Sequence, residues 1–311
     1  MIETAPPISV VITTFNQSQF LPRAIDSVKA NTAQPLEILV VDDGSGDRES
    51  EAICTAHGNV RHFRQANQGV SAARNTGAAN ASSEWILFLD ADDLLLPTAI
   101  SALGQAAMLS PESAFVIGRS ERRSGDSSSG ISQSPEIAGT TDPYCDFLAQ
   151  ATLWHPAQVL FKRRLLLSSG GWVLKQGAED LELVLRLATR YPYKVLPAIV
   201  SIYWQHSSNV SGNPWRMYRS ISTCFRAHRN DPMFNTRSGA VFRAAKASRL
   251  DFYCRGILLS GLSDIRHRRH PLNLLKGLAF VAAKRPVVLA WFIRFLVLRM
   301  FGRHTMTAQQ R

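Results

Sequence analysis

The sequence predicts an α/β fold with a mainly parallel sheet flanked by helices. Short runs of apolar, largely β-branched residues alternate with segments of helical periodicity over the first two hundred residues. Two of these runs end in acidic residues, at the sheet edge where ligands bind in parallel α/β folds. Strand-like runs stop near residue 210, and long helical patterns follow, so a helical region is expected after the sheet.

The elements are predicted in chain order. Strands are expected at residues 8–12, 36–41, 85–89, 114–118 and 157–161, and helices at 70–80 and 97–109. Pro97 suits the first turn of its helix, where a backbone N–H would have no partner. Residues 119–141 are polar and rich in Ser and Gly, which predicts a surface loop.

Charge divides the chain into two parts. Residues 1–210 contain 16 Lys and Arg against 21 Asp and Glu, whereas residues 211–311 contain 19 against 3. The net charges are therefore −5 and +16, which predicts a catalytic domain over 1–210 and a basic helical region over 211–311. A hydrophobic content of 45% excludes a disordered chain.

Three features bear on cellular location. The four cysteines are far apart with no C-x-x-C pair, which argues against a zinc site and predicts reduced thiols in the cytoplasm. Residues 1–7 lack an apolar run, so no signal peptide is expected there. In the segment 271–303, cations interrupt apolar runs that are too short to span a bilayer. This pattern predicts helices lying on the anionic cytoplasmic face of a membrane; the alternative is helices packed on the catalytic domain.

Two acidic clusters follow predicted strands. Asp42 and Asp43 follow the strand at 36–41, and the sequence Asp90-Ala91-Asp92-Asp93 follows the strand at 85–89. No glycine-rich phosphate-binding motif is present, so a bound nucleotide would need a metal ion to offset its charge. Alternating carboxylates on an extended segment point to one side and suit Mn²⁺ or Mg²⁺. The alternatives are an acidic helix cap and, for Asp43, a plain turn residue.

Five spaced motifs over residues 7–211 resemble family 2 glycosyltransferases, which have the GT-A fold. They are residues 9–16 (SVVITTFN), 41–45 (VDDGS), 67–77 (NQGVSAARNTG), 88–93 (FLDADD) and 177–180 (GAED). The resemblance implies a nucleotide-sugar half over about 1–93 and an acceptor half over about 94–210.

The resemblance also implies donor contacts, with a UDP-sugar favoured. The implied residues are Thr13 and Phe15 at the base pocket, Asp43 on the base, Arg74 and Asn75 near the diphosphate or sugar, and Asp90 toward the ribose or sugar. For Arg74 the alternative is a surface cation on a helix.

In the acceptor half, Asp180 matches the general base of inverting members. Glu179 is the alternative base or an acceptor-holding group, and Trp172 would form an apolar wall under the acceptor sugar. The alternatives are a helix N-cap for Asp180 and a core position for Trp172.

For the metal, the resemblance implies Asp92 as the chief ligand, with His206 reaching the metal or the diphosphate. The alternative for His206 is an exposed loop histidine. Asp93 is expected to cap the following helix.

These residues imply transfer of one sugar with inversion to a glycan or a lipid-linked acceptor. The Q-x-x-R-W motif of processive synthases is missing, and Val173 and Leu174 replace an acidic residue common in the family, which leaves the acceptor open. The first alternative is an inactive nucleotide-sugar-binding protein of the same fold. The second is a nucleic-acid-binding protein, suggested by a pI near 10.0. No nucleic-acid partner is expected, because no recognition motif is present.

Overall fold

The computed structural model describes residues 6–124, 127–131, 155–174, 177–206, 209–230, 239–267, 269–270 and 272–300. The strands are β1 (Ile8–Thr14), β2 (Glu37–Asp42), β3 (Val60–Arg64), β4 (Trp85–Asp90), β5 (Leu94–Leu95), β6 (Phe115–Ser124), β7 (Ser127–Ile131), β8 (Val159–Lys162) and β9 (Lys194–Trp204). The helices are α1 (Leu21–Lys29), α2 (Ser50–His57), α3 (Val70–Asn80), α4 (Ala99–Met108), α5 (Arg163–Ser168), α6 (Glu179–Ala188), α7 (Pro214–Ala227), α8 (Gly239–Arg266), α9 (Leu272–Lys284) and α10 (Pro286–Met300).

The strands form one sheet in the order β3-β2-β1-β4-β8-β6-β9-β5, with β7 paired to β6. Strands β3, β2, β1 and β4 are parallel, as predicted. Strand β8 lies between β4 and β6 and runs antiparallel to both, while β6 and β9 are parallel. The α/β class is therefore confirmed, and the sheet is parallel in its first half and mixed in its second.

Strand β1 shows why unbroken apolar runs mark the centre of this sheet. Its side chains are buried on both faces: Val11 lies in one core layer, and Val10 and Ile12 lie in the other. Helix α3 lies against one face at Gly77, where a Cβ atom would stand 2.3 Å from Cγ1 of Val11. This close approach requires glycine and fixes α3 against the middle of β1.

Two predicted elements are corrected. The expected loop at 119–141 contains the end of β6 and all of β7, because β6 pairs with β9 as far as Arg123 and Trp204; residues 132–141 lie outside the described residues. Helix α4 begins at Ala99 rather than at Pro97, because Leu94 and Leu95 pair with β9 first. Strands β3, β5, β7 and β9 are not part of the sequence prediction.

Beyond residue 212, the described elements are helices, as predicted. Helices α7 and α8 contribute to the same core as α6, through Met217, Ile221, Phe225, Leu250 and Tyr253. On its other side α8 forms a smaller core with α9 and α10. The inner faces of α9 and α10 thus pack on α8, within the basic helical region itself. Among the described helices, none is both long and apolar enough to span a membrane.

Candidate functional site

The carboxyl ends of β1, β2 and β4 bring the acidic clusters to one sheet edge. Thr13 of β1 is in register with Asp90 of β4, and Thr14 is in register with Asp42 of β2. The Thr13 hydroxyl donates a 2.9 Å hydrogen bond to Oδ1 of Asp90. Thr13 therefore orients Asp90. The base contact that the family resemblance implies for Thr13 stays a prediction.

The two aspartates at the end of β2, Asp42 and Asp43, have different roles. Asp42 is buried and accepts hydrogen bonds from Ser45, Ser50 and Arg64. Burial raises the pKa of Asp42, but these hydrogen bonds and the Arg64 charge outweigh it, so the pKa is lowered. Asp42 is thus a structural anion that holds the turn after β2.

Asp43 ties this turn to the loop before α3. Its carboxylate accepts hydrogen bonds from Gln65 Nε2 at 2.8 Å, from the backbone N of Gln68 at 3.0 Å and from that of Gly69 at 2.7 Å. A carboxylate has about four acceptor positions, so about one remains for the N–H of a base. Phe15, in the loop after β1, is 43% exposed and is accessible to a ligand.

Arg74 lies at the centre of a buried ion network. Its guanidinium donates to both oxygens of Asp90, at 2.8 and 3.0 Å, and to Oε1 of Glu179 at 3.1 Å. It also lies 4.5 Å from the centre of the Trp172 ring. Because the side chain is only 2% exposed, the surface-cation alternative for Arg74 is wrong. The network joins the donor motif to the GAED motif.

We expect Arg74→Met to destabilise the fold by about 3–5 kcal/mol, because the carboxylates of Asp90 and Glu179 would both lose the buried cation that they share. The matched control is Arg61→Met, since Arg61 pairs with Glu37 at 2.6 Å but is 49% exposed. An exposed pair contributes about 1 kcal/mol or less. Urea unfolding of both variants measures the difference, and equal losses would contradict a buried network.

Trp172 occupies the core rather than a substrate surface. Its ring is 3% exposed and packs edge-on against Phe88 at 5.4 Å. The Asn75 side chain fixes the Trp172 backbone by donating to its O at 2.9 Å and accepting from its N at 2.8 Å. The expected apolar wall under an acceptor sugar is therefore corrected to the core alternative, and Asn75 acts as its positioning residue.

Gly171 makes the Asn75 contact possible. Its φ is +66°, and a Cβ atom would lie 2.4 Å from Oδ1 of Asn75. Only glycine combines this backbone conformation with so close an approach.

Asp92 and His206 meet across 114 residues of sequence. Oδ2 of Asp92 lies 2.9 Å from His206 Nε2 and accepts a 2.9 Å bond from Gln17 Nε2. The His206 ring stacks on Phe20 at 5.0 Å and is half-buried, so the exposed-loop alternative for His206 is wrong.

The surroundings of Asp92 favour a cation. Burial, and then the charges of Asp93 and Asp90, raise the pKa of Asp92 to about 6 despite the opposing His206. Such concentrated negative charge fits a divalent ion that also binds substrate phosphates. No group of three or more His, Cys, Asp or Glu side chains within the described residues is arranged to hold a metal by itself.

Asp93 does not cap α4, in contrast to the sequence expectation. Its carboxylate accepts from the backbone N of Trp204 at 3.0 Å and lies 3.1 Å from Nδ1 of His155. His155 Nε2 in turn lies 3.2 Å from the Ser201 hydroxyl. This arrangement resembles a hydrolase triad, but Ser201 is 0% exposed, so the three residues join β9 to the acidic turn. No pattern in the sequence around His155 predicts its contacts with Asp93 and Ser201.

Asp180 and Glu179 open α6. The N-cap is Ala178, so the N-cap alternative for Asp180 is wrong, and its carboxylate instead accepts from the N of Leu181 at 2.8 Å. Burial, and then the Glu179 charge, raise the pKa of Asp180 to about 7 despite the opposing Arg74. Glu179 is 8% exposed and paired with Arg74, which favours a positioning role over that of a base.

Three buried polar atoms in this cluster find no hydrogen-bond partner among the described residues: Arg74 Nε, Trp172 Nε1 and Glu179 Oε2. Unpaired buried polar atoms are costly and are concentrated at sites that bind polar ligands or water.

Comparison with known proteins places these motifs in one family. The model of the family described as "Glycosyl transferase family 2" matches residues 9–165. An uncharacterised glycosyltransferase of Nostoc sp. is 44% identical over 94 residues, which is 29% of each chain. A GalNAc(5)-diNAcBac-PP-undecaprenol beta-1,3-glucosyltransferase of Campylobacter jejuni is 36% identical over 107 residues, 33% of this chain and 35% of that protein. The chain thus spans about a third of the length of these two relatives.

Solved structures share the fold. A mannosyltransferase from Pyrobaculum calidifontis, in complex with GDP-Man and Mn²⁺, superposes with a TM-score of 0.60 at 20% identity, covering 96% of this chain and 82% of its own. TarS of S. aureus in complex with UDP-GlcNAc superposes with a TM-score of 0.58 at 17% identity, covering 91% and 83%. The GT-A fold predicted from the motifs is confirmed.

Proposed function

Because this chain belongs to glycosyl transferase family 2, we propose that it transfers a single sugar from a nucleotide diphosphate sugar to an acceptor hydroxyl with inversion. The observation that carries this proposal is the network joining Asp90, Arg74 and Glu179 across 105 residues of sequence. Asp180 follows Glu179 directly in the chain, so this network supports Asp180 as the base candidate.

The donor is proposed to be a UDP-sugar. Asp43 retains about one acceptor position for the N–H of a pyrimidine, and Phe15 offers an exposed ring at the neighbouring end of β1. Asp90, whose side chain is 28% exposed, would bind the ribose or the sugar.

Mn²⁺ or Mg²⁺ is the proposed cofactor, and Asp92 with His206 would hold it. When bound, the ion supplies positive charge that stabilises the departing nucleoside diphosphate. Gln17 orients the Asp92 carboxylate for this task. The Mn²⁺ in the Pyrobaculum calidifontis complex supports this proposal by analogy of fold.

Asp180 is the proposed general base. Its carboxylate would take the proton of the acceptor hydroxyl as that oxygen forms the new bond to the anomeric carbon. Displacement from the opposite face in one step inverts the configuration. Glu179 is held by Arg74, so it would position Asp180 rather than replace it.

The acceptor is proposed to be a lipid-linked glycan, in cell-surface polysaccharide or glycolipid synthesis. The Campylobacter jejuni relative carries an undecaprenol-linked glycan in its name, and the basic helical region of this chain suits a lipid diphosphate. Such an acceptor would place the reaction at the cytoplasmic face of a membrane.

A thermal-shift panel of UDP-, GDP- and dTDP-sugars with Mn²⁺ tests the donor. A ligand at a hundred times its Kd adds about 2.7 kcal/mol to stability. A response to UDP-sugars alone supports the proposal, and a response to another nucleotide reassigns the donor. Binding without any transfer to lipid-linked or free glycan acceptors would favour the alternative of an inactive nucleotide-sugar-binding protein.

The raised pKa of Asp180 predicts the pH dependence of the reaction. A general base acts as its carboxylate, so kcat/KM should fall about tenfold per pH unit below the Asp180 pKa of about 7 and level off above it. The residual activity of Asp180→Asn should lack this limb. A pH–rate profile of both proteins checks this, and an acid limb shared by both would assign the titration to another group.

A further inference from the structure

The outer faces of α9 and α10 carry apolar side chains and cations. As far as residue 298, the large exposed residues of these helices are Leu272, Leu275 and the two lysines 276 and 284 on α9, and Val287, Ile293, Arg294 and Val297 on α10. The other exposed positions are alanines and Pro286. Leu272 is 62% exposed, Leu275 63% and Val287 74%, so these side chains project well into solvent. Neither α9 nor α10 contains an acidic residue.

These faces cannot turn inward, because the opposite faces are already buried. Val281 of α9 and Val288 and Phe292 of α10 share a core with Leu258 of α8. Gly261 of α8 holds α9 in place, since a Cβ atom there would lie 2.8 Å from Cα of Leu274. The helices are therefore fixed with their apolar and basic sides outward.

The charge of residues 265–311 indicates what kind of surface the outer faces of α9 and α10 would bind. From residue 265 to residue 311 the sequence contains ten Lys and Arg and no Asp or Glu. Three of these cations, Lys276, Lys284 and Arg294, stand among the exposed apolar residues. An anionic lipid surface attracts each such cation, and its interfacial region accepts the apolar side chains.

We propose that the outer faces of α9 and α10 form a docking surface for an anionic phospholipid bilayer. Both helices would lie in the plane of the interface, since neither is long and apolar enough to cross it. Vesicle binding needs no donor or acceptor, so this proposal stands or falls independently of the proposed sugar transfer.

The test compares surface variants of the full chain, because deleting α9 and α10 would also expose the core around Leu258. The triple variant Lys276→Gln, Lys284→Gln, Arg294→Gln removes the three outer cations. Co-flotation is measured with vesicles of phosphatidylcholine alone and of an equal mixture with phosphatidylglycerol. A cation near an anionic surface contributes roughly fivefold to binding, so the variant should bind the mixed vesicles about a hundredfold more weakly.

The matched control is the triple variant Arg164→Gln, Arg190→Gln, Lys194→Gln, which removes three exposed cations elsewhere. It should bind mixed vesicles within a few-fold of the parent. A second variant, Val287→Ser with Ile293→Ser, keeps the charge and tests the apolar contribution; it should bind several-fold more weakly, including at high salt, where charge attraction is screened.

Equal weakening by both triple variants would show that net charge alone acts, and this would overturn the docking surface. The parent's failure to bind mixed vesicles would also overturn it. Concentration-dependent self-association that the Val287→Ser, Ile293→Ser variant abolishes, without vesicle binding by the parent, would reassign the face to contact between two copies of this chain.

Discussion

Asp180→Asn is expected to slow sugar transfer by about 10²–10⁴-fold while donor and metal affinity stay nearly unchanged. A general base is needed only when the acceptor hydroxyl loses its proton, so its loss appears in the chemical step. The amide has the same shape and can still accept the 2.8 Å bond from the Leu181 N–H, so α6 should remain stable. Transfer rates and donor titration by calorimetry measure the two effects separately.

The control for Asp180→Asn is Asp26→Asn, since the Asp26 side chain is 69% exposed on α1. It makes the same chemical change at a surface position and should transfer at the parental rate. If Asp180→Asn also transfers at the parental rate, Asp180 is not the base and Glu179 becomes the next carboxylate to test.

Asp92→Asn is expected to abolish Mn²⁺-dependent binding of the nucleoside diphosphate. The substitution removes the carboxylate that faces His206 and Gln17, and with it a negative charge from a cluster that repels further anions. A diphosphate would then meet the charges of Asp90 and Asp93 with no bound cation to offset them.

Calorimetry of UDP and GDP with Mn²⁺ and with EDTA measures this dependence without requiring transfer. The parent should bind in Mn²⁺ and lose affinity in EDTA, whereas Asp92→Asn should bind weakly in both. Asp26→Asn again serves as the surface control. Full parental binding in EDTA would remove the metal from the proposal, and undiminished binding by Asp92→Asn would remove Asp92 as its ligand.

The sequence predicted what depends on local pattern. The apolar runs at β1, β2 and β4 placed these strands, because residues buried on both faces leave no polar interruption. The acidic clusters lie at the carboxyl ends of β2 and β4, at one edge of the sheet, as predicted. Helices replace strands after residue 210, also as predicted. Spaced motifs were enough for the family, since they stand at strand ends and turns in the order that the family shares.

Only the tertiary structure decided the partners of those residues. Asp90, Arg74 and Glu179 are brought together by the packing of α3 against β1 and by the core that α3 and α6 share, and no local pattern reports a pair separated by 105 residues. Likewise, the apolar runs interrupted by cations predicted apolar and basic helices at α9 and α10, but could not show which face is buried. Their inner sides meet α8 and their outer sides meet solvent, because an apolar side chain is buried only where the fold supplies a neighbour.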